Sequence, residues 1–140
     1  MSEFENSDMD SRSMGAGPSA GAHVLMDYVD YASPCDDDAL WILDLMRGCV
    51  IECGIKEGHS HVESFDGKQS PPGFAAVVLI DESHVTAHCY SERGILAVDV
   101  FTCGTHDPDV LADSIHNAMS SEIPGLRIVS RERVERFKGD

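Results

Sequence analysis

The chain has little of what would tie it to a polyanion, a membrane or a disulfide scaffold. Only 10 of its 140 residues are Lys or Arg, against 25 Asp or Glu, for a formal charge of −15. That balance opposes a sequence-independent grip on nucleic acid or on an anionic membrane surface, both of which need basic side chains to displace counterions. No run approaches the ~20 apolar residues of a membrane span. Met1 to Asp10 are acidic and polar, with neither the basic start nor the apolar stretch of a secretory signal, so the cytoplasm is the expected compartment. The five cysteines (Cys35, Cys49, Cys53, Cys89 and Cys103) form an odd set without a C-x-x-C pair, which argues against a disulfide framework, and Cys49 and Cys53, four apart, read as small buried apolar residues. Glycine-rich phosphate loops, HExxH, paired metal-ligand clusters and Gly-x-Ser-x-Gly are absent. His59 and His61 form an H-x-H whose rings would share one face of a strand, but no third ligand stands in evident register, and no metal is expected.

What remains is an ordinary globular composition, 42% hydrophobic and 25% charged, in a length that suits one domain. Residues 1–20, rich in Ser, Gly and acids without an apolar period, read as a disordered acidic tail, and 21–140 as the folded domain. Residues 1–38 hold nine acids against Arg12, so −8 of the charge lies there.

Ala22 to Val29 reads as a strand. Ser33-Pro34-Cys35-Asp36 joins an N-cap hydroxyl to a proline at the first helical position, and Ala39, Ile42, Leu43, Met46, Cys49, Val50 and Cys53 follow at three- and four-residue steps, with Gly54 to close the helix. Strands are expected over 59–66, Phe74 to Ile80, Ser83 to Tyr90 and Ile95 to Thr102, the last two joined by Ser91-Glu92-Arg93-Gly94. Both sides of Ile95 to Thr102 are mostly apolar, which marks a central strand. Asp107-Pro108 starts a second helix with Leu111, Ile115 and Ala118 on one face and Val110 beside them, and Leu126 to Val134 forms the last strand. This order predicts an α+β domain, a two-layer sandwich of mainly antiparallel sheet with its helices on one face.

The segment with chemical content is Asp81-Glu82-Ser83-His84-Val85-Thr86-Ala87-His88, followed by Phe101-Thr102-Cys103-Gly104. Glu-Ser-His, a second histidine five residues after the serine and Phe-Thr-Cys-Gly twenty residues on together resemble the prokaryotic S-adenosylmethionine decarboxylase proenzymes, over roughly residues 21–135. The resemblance implies that Ser83 attacks the carbonyl of Glu82 and, through β-elimination, becomes a covalent pyruvoyl group, cutting the chain into 1–82 and 83–140. That group would form a Schiff base with the substrate amine and draw in the electrons left by carbon dioxide. The resemblance further implies that His88 moves a proton during processing, that Cys103 returns one to the substrate α-carbon, and that Phe65 and Glu92 bind substrate. It implies a small amino-acid-type substrate, a role in spermidine and polyamine synthesis and a homodimer of processed protomers. Two other readings stand beside it: a pyruvoyl-dependent ornithine or arginine decarboxylase with the same machinery, and a non-catalytic partner subunit that keeps the fold without activity. Members of the family usually read His-Thr-Trp-Pro-Glu where this chain has His88-Cys89-Tyr90-Ser91-Glu92, and often carry a small hydroxyl residue at the place of Ala75. Phe65, Phe74 and Tyr90 are aromatics available to a nucleoside, and Glu63, Asp66 and Glu92 are acids available to a cation. In a regular strand Ser83 and His88 point to opposite faces, so bringing them together within one chain calls for a bend or turn near the cleavage point.

Overall fold

The computed structural model describes residues 20–137. All but the last residue of the expected tail, 1–20, lies outside them. The elements run β1 (Gly21–Val29), α1 (Asp38–Glu52), β2 (Glu57–Phe65), β3 (Gly73–Ile80), β4 (Ser83–Tyr90), β5 (Ile95–Cys103), α2 (Pro108–Glu122) and β6 (Arg127–Arg136). The six strands form one antiparallel sheet in the order β2-β3-β4-β5-β1-β6, so that β5 is interior, as its two apolar sides require. Both helices cover the same face.

Alternation along the strands builds the core. Val24, Met26 and Tyr28 of β1, Phe74, Ala76 and Val78 of β3, Val85 and Ala87 of β4, and Leu96, Val98 and Val100 of β5 all point to the helices. They meet Ile42, Met46 and Val50 of α1 and Leu111, Ile115 and Met119 of α2. Phe74 is therefore core, 1% exposed, and is not available to a substrate.

The helix starts differ in their agreement with the sequence pattern. Asp107 caps α2 with Pro108 in the first turn, its carboxylate accepting the Asp109 N–H at 2.9 Å. Helix α1 begins later than the Ser33-Pro34 pair suggests. Asp37 is its N-cap, accepting the Leu40 N–H at 3.2 Å, while Ser33 donates locally to the Cys35 carbonyl. A carboxylate directly ahead of the apolar period outcompetes a hydroxyl four residues upstream, and Tyr31 donates to Asp38 Oδ2 at 2.8 Å to hold that entry. Gly54, at φ +75°, turns the chain out of α1. On α2, Val110 is 58% exposed and Met119 takes its place on the buried face.

Strand β6 is tied to α2 through ions: Arg131 reaches Asp109 and Asp113, each at 2.7 Å, and Arg133 reaches Asp109 at 2.6 Å and Asp107 at 3.0 Å. The sheet face away from the helices carries no covering layer among the described residues. No described helix is long and apolar enough to cross a membrane.

Candidate active site

Ile80 pairs with Ser83, leaving Asp81-Glu82 as a two-residue turn between β3 and β4. Glu82 sits at φ +60°, in the left-handed region that a residue with a Cβ enters at a cost. The bond to Ser83 thus follows a strained residue, the kind of local strain that clusters where chemistry occurs. Ser83 is 8% exposed, and its Oγ accepts the backbone N–H of Cys103 at 3.0 Å. The turn expected near the cleavage point is present, but it lies before Ser83, and from His84 onward β4 is paired on both sides without a bulge.

Cys103 ends β5 opposite Gly21. A Cβ on Gly21 would stand 3.1 Å from the Thr102 carbonyl oxygen and 3.2 Å from Cys103 Sγ, so the bare backbone there makes room for the thiol. Burial pushes the Cys103 thiol above its ordinary value and the Glu82 charge adds to this, against an opposing pull from Arg136. The thiol is therefore held in its protonated form near neutral pH.

Three residues that sequence reasoning did not single out complete this end of the sheet. The His84 ring lies against Phe101, centroids 5.4 Å apart, and meets His23 edge-on at 6.2 Å; the Arg136 guanidinium covers Phe101 at 5.5 Å. Burial, then the neighbouring His23, lowers the His84 pKa, with Asp99 opposing. Among the described residues, His23 Nε2 is the one buried side-chain nitrogen or oxygen without a hydrogen-bond partner. The signal for His84 was present in the Glu-Ser-His motif. Its contacts depend on the register His23–Phe101–His84 across three strands, which no local pattern reveals.

The structure does not bring His88, Phe65 or Glu92 to Ser83 of the same chain. His88 projects from the open face while Ser83 faces the helices. Five residues of extended chain separate them, roughly 16 Å. Phe65 pairs with Gly73, which pairs with Tyr90, and Glu92 lies in a short 3₁₀ turn (Ser91–Arg93) just beyond; all of these mark the opposite end of the sheet from Ser83. There, Asp27, His88, Tyr90, Ile95, Ala97 and Val129 line a hollow of about 340 Å³.

Other candidates find ordinary roles. His61 contacts the Glu63 carboxylate on the exposed edge strand β2, and among the described residues no group of three His, Cys, Asp or Glu is placed to hold a metal ion. Asp66 accepts the Lys68 N–H at 2.9 Å in the β2–β3 loop. Cys49 and Cys89 are buried in the core.

Fold and sequence matches agree on a class: an α+β decarboxylase. The model of the family described as S-adenosylmethionine decarboxylase matches residues 22–132. The chain belongs to that family. A protein of Bacillus velezensis named S-adenosylmethionine decarboxylase proenzyme is 35% identical over 119 residues, 85% of this chain and 86% of its own length. One of Anoxybacillus flavithermus with the same name is 33% identical over 85% of this chain and 87% of its own length. The crystal structure of the adenosylmethionine decarboxylase from Aquifex aeolicus superposes with a TM-score of 0.68 at 28% identity, covering 89% of this chain and 94% of the other.

Proposed function

We propose that the chain decarboxylates S-adenosylmethionine with a pyruvoyl group that it makes from its own Ser83, and so supplies an aminopropyl donor for polyamine synthesis. The observation that carries this is the meeting of Glu82, Ser83 and Cys103 at one turn, with the serine hydroxyl fixed by the Cys103 amide behind a strained residue.

Self-processing uses atoms already in place. Ser83 Oγ forms a bond to the Glu82 carbonyl carbon, the C–N peptide bond breaks, and the serine hydroxyl proton passes to the freed amine. Loss of the Ser83 α-proton expels the Glu82 carboxylate, leaving an enamine that tautomerises, takes up water and releases ammonia. Two chains result, 1–82 and 83–140. The pyruvoyl group supplies a ketone that accepts the electron pair released with carbon dioxide. Cys103, on the open-face side of β5 with a thiol that burial keeps protonated, delivers in this reading the proton that replaces the lost carboxylate.

His88, Phe65 and Glu92 lie at one end of the open face, and Ser83 and Cys103 at the other end of the sheet. A second copy docked face to face about a two-fold axis would lay one end over the other, so that the partner subunit's His88 and Phe65 come to the end of the sheet that carries Cys103 and the Glu82–Ser83 turn. Exposed Leu79, Tyr90 and Val134 on this face support such a cover. The homodimer is thus part of the proposal.

The test is carbon dioxide release from processed protein offered S-adenosylmethionine, ornithine and arginine separately. Release from S-adenosylmethionine alone is expected. Turnover of ornithine or arginine without it would replace the substrate while leaving the pyruvoyl chemistry standing, and no release from any of the three would favour a non-catalytic subunit.

A further inference from the structure

His88 stands in an unusual row. Its direct neighbours across the sheet are Ala75 on β3 and Ala97 on β5, so a methyl group flanks the imidazole on each side. Among the described residues its ring has no hydrogen bond or ion pair, and nothing in its own strand orients it. A proton-transfer histidine needs one nitrogen fixed so that the other presents the right tautomer.

The row continues. Beyond Ala97 comes Asp27 of β1, and beyond Ala75 comes Glu63 of β2. Each acid is two strand spacings from His88, roughly 9–10 Å at Cα. An imidazole, a carboxylate and one hydrogen bond can bridge that span over a methyl group. The two acids are not equivalent: Glu63 is engaged by His61, while Asp27 has no ion pair among the described residues and shares with His88 the hollow floored by Ala97. The remaining groups facing His88 are the Tyr90 hydroxyl on its own strand and Asp99 one step along β5. Asp99 pairs in register with Thr86 and acts on His84. Gly73 and Val77, flanking Ala75 on that face of β3, carry no charge.

We propose that Asp27 is the positioning residue for His88: it turns over Ala97 to accept a hydrogen bond from the imidazole and holds it, as its charge rises, in the orientation that self-processing requires. Asp27 touches no reacting atom; it acts through the ring. Asp27 is exposed on β1, next to a register shift between β1 and β6 at Asp27/Tyr28. The inference rests on the proposed role of His88 in processing, and its test separates the two.

The full-length Ser83→Ala chain, which stays uncut, is read by nitrogen NMR at the His88 ring with and without Asp27→Asn, and with Glu63→Gln as the control. The His88 ring nitrogens are expected to report one fixed tautomer that is lost when Asp27 is neutralised and kept for Glu63→Gln. In chains retaining Ser83, Asp27→Asn should slow self-cleavage roughly tenfold or more, with Asp27→Glu restoring most of the rate. Unchanged His88 nitrogen signals in Asp27→Asn overturn the pairing, and changed signals with an unchanged cleavage rate overturn the positioning role. Should the parent chain itself remain uncut, the reading of His88 in processing fails, while the nitrogen signals still decide the Asp27 contact.

Discussion

The backbone N–H of Cys103 donates to Ser83 Oγ across 3.0 Å, so the end of β5 that carries the thiol also fixes the hydroxyl at the start of β4. One hydrogen bond thereby couples the atom that would rearrange the chain to the residue that would later serve the substrate. The backbone makes this link, so it survives changes in the Cys103 side chain and lets the two roles be separated.

Cys103→Ala should therefore cleave normally and lose turnover by roughly a hundredfold, as expected for a missing general acid. The pH profile supplies a second reading. Burial and the Glu82 charge raise the Cys103 thiol, so the donor stays protonated above the pH at which an ordinary thiol ionises, and wild-type turnover should fall on the alkaline side only beyond that range. Single-turnover assays of processed protein measure both. Equal turnover in mutant and wild type would assign the proton to another group.

Strain at Glu82 has a measurable size. In the Ser83→Ala background, where no cleavage intervenes, Glu82→Gly should raise stability by about 1 kcal/mol, the left-handed penalty less the added chain entropy of glycine. Urea titration of the two uncut chains checks this. With Ser83 restored, the relaxed turn should cleave more slowly than Glu82→Gln, which keeps the strain and removes the charge.

Two aromatics that look alike in the sequence should separate cleanly. Phe74 is packed beneath β3, and Phe74→Ala should cost about 3–5 kcal/mol of stability. Phe65 lies half-buried at the open-face end of β2, and Phe65→Ala should leave stability nearly unchanged while raising KM. Thermal melts and steady-state kinetics on the pair give the comparison.

That pair also shows where the sequence pattern was legible. Alternation and three-to-four spacing placed all six strands and both helices, because a half-buried sheet and an amphipathic helix write their periods directly into residue order. The start of α1 was misjudged because Ser33-Pro34 and Asp37 are both competent caps, and only the tertiary anchor from Tyr31 to Asp38 favours the second. The Glu82, Ser83 and Cys103 cluster follows from a hairpin register that the short Ser91–Gly94 connection sets. The distance between Ser83 and His88 is a consequence of the same regular pairing. The contacts of His23, His84 and Arg136 depend on how β1, β5 and β6 come together from distant parts of the chain, which local patterns do not encode.

If His88 acts across a dimer, complementation follows. A His88→Ala chain alone should remain uncut. Co-expressed with Ser83→Ala chains, it should be cleaved in the mixed dimers, since each such dimer pairs one intact Ser83 with the partner subunit's His88. Absence of any cleaved His88→Ala chain from the isolated mixed dimers would place the processing proton transfer elsewhere.

Whether the Glu82–Ser83 bond opens by itself is read from the intact mass of purified protein. Two fragments are expected, residues 1–82 and a second that begins with a pyruvoyl group in place of Ser83, while Ser83→Ala gives one uncut mass. A single full-length mass for the wild-type chain after prolonged incubation would contradict self-cleavage.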